Sequence, residues 1–377
     1  MQSLGTEQAL LDPLVPVVSS DSYENKVPTK IFAQKPHTDE QVSKQTPVQS
    51  AQWRRPIQQV TPPRRRIQTV LAPVKKCVNL GNALEAPNEG EWGYTVNVQD
   101  LRRIKQLGFD TIRLPVKWTA HMDRRRPYRI DPKLLSRTDY IIGTALDLGL
   151  KVILDVHNYD AIMARPYREI PKLKNLWHQL STHYANWPDG LIFEVLNEAH
   201  DKMTTTKANA LNAELLGIIR ATNPSRWVVL GSGNWGSIDP LLLDTQEKFS
   251  PPNDPRIITT FHYYDDFDFT HQGAHFLDTP PPTGKRFGSR QQKADIAKHM
   301  AQARAFQDRT GHPLLLGEFG VYQHVPNAQR AEWTYTVRKQ AEAQGLGWCY
   351  WDWATEFKMY DQNTARLVPG FGAALFQ

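Results

Sequence analysis

Short apolar runs, each closed by a turn signal and separated by stretches of helical periodicity, recur along most of the chain. Candidate strands are Lys76–Leu80, Asp110–Leu114, Lys151–Val156, Leu191–Leu196, Arg226–Leu230, Arg256–Phe261, Pro313–Leu316 and Gly347–Trp351. Runs of this length, rich in β-branched residues and nearly all apolar, fit strands buried on both faces of a parallel sheet. The segments between them read as helices. Asp131-Pro132 supplies an N-cap and a first-turn proline, and Gly108, Gly149 and Gly345 stand where helices should stop before the next strand. Trp333, Val337 and Ala341 repeat every four residues and predict a core-facing stripe on the penultimate helix.

Eight strands alternating with helices predict a (β/α)8 TIM barrel over residues 73–377. The competing open, doubly wound sheet would carry a Gly-rich phosphate loop after its first strand. Here that position holds Gly81-Asn-Ala-Leu-Glu85, without the required glycine spacing. Residues 1–72 show no sustained period and are dominated by Gln, Pro, Ser, Thr and Lys. They are expected to form a disordered arm or linker, and the basic run Arg64–Arg66 offers a possible tether to a polyanion or partner.

Composition narrows the class. The net charge is +6 with scattered bases, which gives no nucleic-acid signature. No apolar stretch reaches membrane-span length, so no span is expected. The first residues lack the basic-then-apolar layout of a secretory signal. With only Cys77 and Cys349 the chain has neither a disulfide framework nor a cysteine metal site. These two fall on neighbouring first and eighth strands; the preferred expectation is two small interior residues, with a bridge as the alternative. Eleven Trp, 13 Tyr and 14 Phe supply platforms for flat ligands such as sugar rings.

In a barrel of this kind, chemistry belongs at the C-terminal strand ends. Those ends carry Asn82 and Glu85, Arg113, His157 and Asn158, Asn197 and Glu198, His262 and Tyr264, Glu318, and Trp351. Taken singly, each has a plain structural explanation: Arg113 could neutralise a buried carboxylate such as Glu194, and the histidines could be core residues. Taken together, they place a polar or aromatic group at the same end of nearly every strand. Side-chain alternation puts His262 and Tyr264 on one face, and Asp155 beside His157.

Two carboxylates, an arginine, histidines, a tyrosine and a tryptophan suit glycoside hydrolysis. One carboxyl protonates the leaving oxygen and the other attacks the anomeric carbon or activates water. Arg113 and Tyr264 are expected to keep Glu318 ionised, whereas Glu198, lacking them, is expected to hold its proton. Asn197 is suited to the sugar 2-hydroxyl and Trp351 to the floor beneath the reacting ring. Metal-dependent hydrolysis is disfavoured because no ligand signature such as H-E-x-x-H appears.

The residues resemble glycoside hydrolase family 5, the cellulase family of retaining β-glycanases, from about Lys75 to the C-terminus. Val78–Gly90 with Glu91-Trp-Gly93 looks like the first strand and loop of its bacterial endoglucanase branch. Thr260–Tyr264 with Phe267–Gly273, Gly317–Gly320 and Tyr350-Trp351 complete the likeness. The resemblance implies Glu198 as proton donor and Glu318 as nucleophile. Arg113, His157, Asn197, His262 and Tyr264 would fill the remaining catalytic positions, and Trp351, Asn82, Glu85, Asn158, Trp235 and His271 would bind substrate. It implies hydrolysis of internal β-1,4-glucosidic bonds of a β-linked polysaccharide, no metal or other cofactor, and a secreted or periplasmic location; a monomer is expected. A β-mannanase or mixed glucan/mannan enzyme is the alternative activity, and a barrel that binds polysaccharide without cutting it is the alternative class. Three departures stand out. Ala199 follows Asn-Glu where the family usually has Pro, Asn158 stands where the branch often has a second histidine, and Asp265–Arg290 carries Pro280–Pro282 in place of an aromatic-rich loop.

Overall fold

The computed structural model describes residues 74–377, and the arm expected over residues 1–72 lies outside the described residues. Strands β1 (Lys76–Asn79), β2 (Thr111–Val116), β3 (Lys151–Val156), β4 (Leu191–Glu194), β5 (Val228–Leu230), β6 (Ile257–His262), β7 (Leu314–Phe319) and β8 (Gly347–Tyr350) pair in sequence order. All eight pairings are parallel, and β8 returns to β1 to close the barrel. This is the predicted (β/α)8 architecture.

The helical punctuation acts as anticipated. Asp131 accepts a hydrogen bond from the Lys133 amide at the start of helix Pro132–Asp147. Gly108, Gly149 and Gly345 take φ of 91°, 75° and 70° just after helices, a region open to glycine without steric cost. Trp333, Val337 and Ala341 are fully buried. Two elements were not anticipated: a hairpin of two short strands, Tyr360–Asp361 and Arg366–Leu367, and the terminal helix Phe371–Phe376. The helix sets Phe371 and Phe376 edge-on against Tyr350 and Phe109. Strand β5 begins at Val228 rather than at Arg226, whose guanidinium donates to the carbonyls of Tyr184, Trp187, Pro188 and Leu191.

The interior is layered along the barrel axis. At the N-terminal end Cys77, Ile153, Ile192, Val229, Ile258, Leu315 and Cys349 form an apolar plug. Stepping two residues along each strand, as the pleat requires, replaces it with Asn79, Asp155, Glu194 and Thr260. Another step reaches the mouth. Cys77 and Cys349 are register partners on β1 and β8, and they form a disulfide. The expectation of two unlinked small residues is therefore corrected. Barrel closure brings them face to face across 272 residues of sequence, a proximity no local pattern encodes.

Candidate active site

A register shift between β6 and β7 pairs His262 with Glu318 while Phe261 pairs with Leu316, so Gly317 is the extra residue. Such a bulge re-aims the side chains that follow it. A Cβ at Gly317 would lie 2.5 Å from Thr260 Oγ1 and 3.2 Å from the His262 ring. Only glycine allows this approach. The shift extends β7 beyond the expected Leu316 and sets Glu318 inside the strand.

Arg113 on β2 organises the floor. It is fully buried, and every guanidinium nitrogen is engaged. Nε and Nη2 donate to the two oxygens of Glu194 at 2.7 and 2.9 Å, Nη1 to Glu318 Oε1 at 2.6 Å and to Asn79 Oδ1 at 3.0 Å, and Nη2 to Asn197 Oδ1 at 2.7 Å. Asp155 Oδ2 lies 2.9 Å from Nη2. The expected pairing with Glu194 is present, and two further carboxylates share the same cation. Burial alone would raise the carboxyls of Asp155 and Glu194, and Arg113 opposes this; the balance leaves Asp155 pushed up to about 7 and Glu194 raised. Buried charge of this density persists only where it is paired and hydrogen-bonded.

The two acidic groups at the mouth have different surroundings. Glu318 accepts from Arg113 and, at 3.0 Å, from the Tyr264 hydroxyl. Glu198, four residues beyond β4 and with a φ of 41°, faces His262 Nδ1 at 2.8 Å. Burial pushes its carboxyl up to about 7, against the pull of His200 and Arg113. Desolvation also lowers His262, so its ring is neutral near pH 7. One oxygen of Glu198 and one of Glu318 lie within 4.8 Å of each other and of a His262 nitrogen. A metal ion could be considered at this trio. Both Glu318 oxygens already accept from Arg113 and Tyr264, however, and His262 Nδ1 faces Glu198. These hydrogen bonds fix the orientation of all three groups.

A cleft of about 730 Å³ opens above this pair. Asn82, His157, Glu198, Trp235, His262, Tyr264, His271, Glu318 and Trp351 line it together. Trp351 stacks on His157 with ring centroids 5.5 Å apart and planes 8° from parallel. Gly81 permits this placement, since a Cβ there would stand 2.9 Å from the Trp351 ring. Trp235 stacks on His200 and carries a φ of 58°, a strained value for a side-chain-bearing residue. Asn82 donates to Thr355 Oγ1 at 2.9 Å.

Arg113 lies beneath the pair and joins Glu318 to Asn197. Glu85 is only 1% exposed; its Oε1 is 3.8 Å from His157 Nε2 and burial raises its carboxyl. Asn158, with a φ of 50°, is also buried. Neither is among the residues that line the cleft.

The segment after β6 differs from the expectation of an aromatic-poor loop. Helix Phe267–Thr270 and the chain beyond it bring Phe267, His271 and Phe276 to the wall beside Phe357. Phe267 and His271 stack at 4.1 Å. Sequence reasoning missed Phe357 and Glu356, which reach the cleft from the loop after β8. It also missed Asn79, although Asn79 sits two residues beyond Cys77 on the inward face of β1, and that parity was available in the sequence.

Comparisons agree with this architecture. The sequence matches the family described as Cellulase (glycosyl hydrolase family 5) over residues 77–356. It is 30% identical over 274 residues to Endoglucanase H of Acetivibrio thermocellus, a match covering 73% of this chain and 29% of that protein. The chain thus spans less than a third of that relative's length. Among solved structures, a hyperthermophilic endo-β-1,4-glucanase in complex with substrate is similar with a TM-score of 0.77 and 34% identity, over 80% of this chain and 96% of that one. Thermotoga maritima Cel5A in complex with mannotriose gives 0.75 and 31%, over 80% and 97%. Within the described residues no helix is long and apolar enough to cross a membrane. The chain belongs to the cellulase family, glycosyl hydrolase family 5.

Proposed function

We propose that the protein is a retaining endo-β-1,4-glucanase in which Glu198 is the acid/base and Glu318 the nucleophile. The observation that carries this reading is the spacing and contrast of the two carboxyls. Their oxygens approach within 4.8 Å, near the ~5–5.5 Å separation that suits direct attack and short of the ~6.5–9.5 Å that leaves room for a water in inverting enzymes. Burial raises Glu198 to about 7, whereas Arg113 and Tyr264 donate to Glu318. In the first displacement Glu318 attacks the anomeric carbon while Glu198 gives its proton to the departing glycosidic oxygen. The resulting glycosyl ester is then attacked by water, from which Glu198 takes a proton, and the configuration at the anomeric carbon is restored.

An open cleft floored by Trp351 suits a polymer threaded across the barrel mouth. β-1,4-Glucan is the favoured substrate, as in the similar glucanase solved with its substrate. Because a structural relative is described with mannotriose bound, a mixed glucan/mannan range is the second reading. The test is release of new reducing ends from β-1,4-glucan, mixed-linkage glucan, glucomannan and galactomannan, with Glu198→Gln and Glu318→Gln as controls. Release from the glucans that both variants lose is expected. Turnover of galactomannan alone would move the substrate to mannan, and silence on all four would overturn the proposal.

A further inference from the structure

The hydrogen-bond directions around Asn197 can be assigned in only one way. Arg113 has donors alone, so Asn197 Oδ1, 2.7 Å from Nη2, must accept. That orients the Asn197 amide nitrogen toward His157 Nε2 at 3.3 Å, and Nε2 must accept in turn. The neutral His157 ring then carries its proton on Nδ1, which stands 2.6 Å from Asp155 Oδ2. Burial lowers the affinity of His157 for a second proton, so the neutral ring is the relevant one. Asp155 Oδ1 has no hydrogen-bond partner. Asp155 Oδ2 also lies 2.9 Å from Arg113 Nη2, which can only donate, so Oδ2 is an acceptor toward both neighbours.

We infer that Asp155 is a positioning residue: by accepting from His157 Nδ1 it selects the imidazole tautomer that orients the Asn197 amide toward the 2-hydroxyl of the sugar above Glu318. Asp155 touches no substrate. It acts through two side chains, and Asn197 has one amide hydrogen left once His157 has taken the other. With the opposite tautomer, an N–H on Nε2 would face the N–H of Asn197, and one of the two would have to turn away. A bare charge-neutralising role for Asp155 is already shared by Glu194 and Glu318, which contact Arg113 at 2.7 and 2.6 Å. The short bond to His157 is what distinguishes Asp155.

The inference rests on the reading of Asn197 as the group that meets the 2-hydroxyl. Its test uses 2,4-dinitrophenyl β-cellobioside and the analogue with hydrogen at C2 of the ring at the reacting carbon. The wild-type enzyme is expected to favour the 2-hydroxy substrate in kcat/KM. Asp155→Leu is expected to shrink that ratio roughly ten-fold, the scale of one lost neutral hydrogen bond. Asp155→Asn, which can keep an oxygen opposite His157, is expected to restore most of it. Equal losses on both substrates, with the ratio unchanged, would reduce Asp155 to a structural residue and overturn the inference. No hydrolysis of either by the wild type would instead sink the proposed function. Should Asp155→Leu fail to fold, nitrogen-15 spectra of wild-type His157 decide: a protonated Nδ1 with a bare Nε2 is expected, and the reverse overturns it.

Discussion

Replacing Arg113 by Met keeps much of the volume and removes all the guanidinium donors from the barrel floor. Three carboxylates then face one another across a buried floor: Asp155, Glu194 and Glu318 now lie 2.9, 2.7 and 2.6 Å from the guanidinium. Removing one partner of a buried ion pair typically costs ~3–5 kcal/mol, because the remaining charge is stranded. The cost should depend on pH, with a sign set by the carboxyls. Burial already raises Asp155 to about 7 and Glu194 above its ordinary value, with Arg113 pulling both down. Without Arg113 their folded-state values climb further above the unfolded ~4. Between those limits the folded chain holds more protons than the unfolded one, so stability falls as pH rises through the window. Chemical denaturation of wild type and Arg113→Met at about pH 4.5 and about pH 8 measures this. The expected deficit is ~3–5 kcal/mol at the higher pH and smaller by at least ~1 kcal/mol at the lower. A deficit equal at both values, or below ~1 kcal/mol throughout, would refute the view of Arg113 as the shared counter-ion.

Three further outcomes follow from the same geometry. Because Glu198 is raised to about 7 and must be protonated to expel a poor leaving group, kcat/KM on cellulosic substrates should fall as pH rises through that value; the limb should vanish for 2,4-dinitrophenyl glycosides, whose leaving group needs no proton. Dialysis against EDTA should leave glucan hydrolysis unchanged, since the proposed double displacement calls on the two carboxyl groups alone; restoration of a lost rate by added Zn²⁺ or Mn²⁺ would contradict this. Cys77→Ala with Cys349→Ala should lower unfolding free energy by ~2–5 kcal/mol with little change in kcat, because the bridge closes a long loop far below the mouth.

The chain's architecture is written locally and was readable. Each strand is a compact apolar run, several helices stop on a glycine, and side-chain parity put Asp155 beside His157 and His262 beside Tyr264 in the mouth. What escaped the sequence depends on barrel closure. The Cys77–Cys349 bridge and the convergence of three carboxylates on one guanidinium join residues distant along the chain. Loop residues were harder still. Phe267, Phe276 and Phe357 reach the cleft through irregular backbone that has no period to read, so the long segment after β6 concealed an aromatic wall. Glu85 and Asn158 show the converse: a polar residue near a strand end need not line the cleft.

The assignment of Glu318 as nucleophile is the centre of the account, and covalent trapping examines it directly. Incubation with 2,4-dinitrophenyl 2-deoxy-2-fluoro-β-cellobioside, followed by proteolysis and mass spectrometry, locates the ester formed when the second step is slowed. The account requires one fluorocellobiosyl group per chain, on the peptide carrying Glu318, and none in Glu318→Gln. A label on Glu198, or dinitrophenolate release without any covalent adduct, would contradict it.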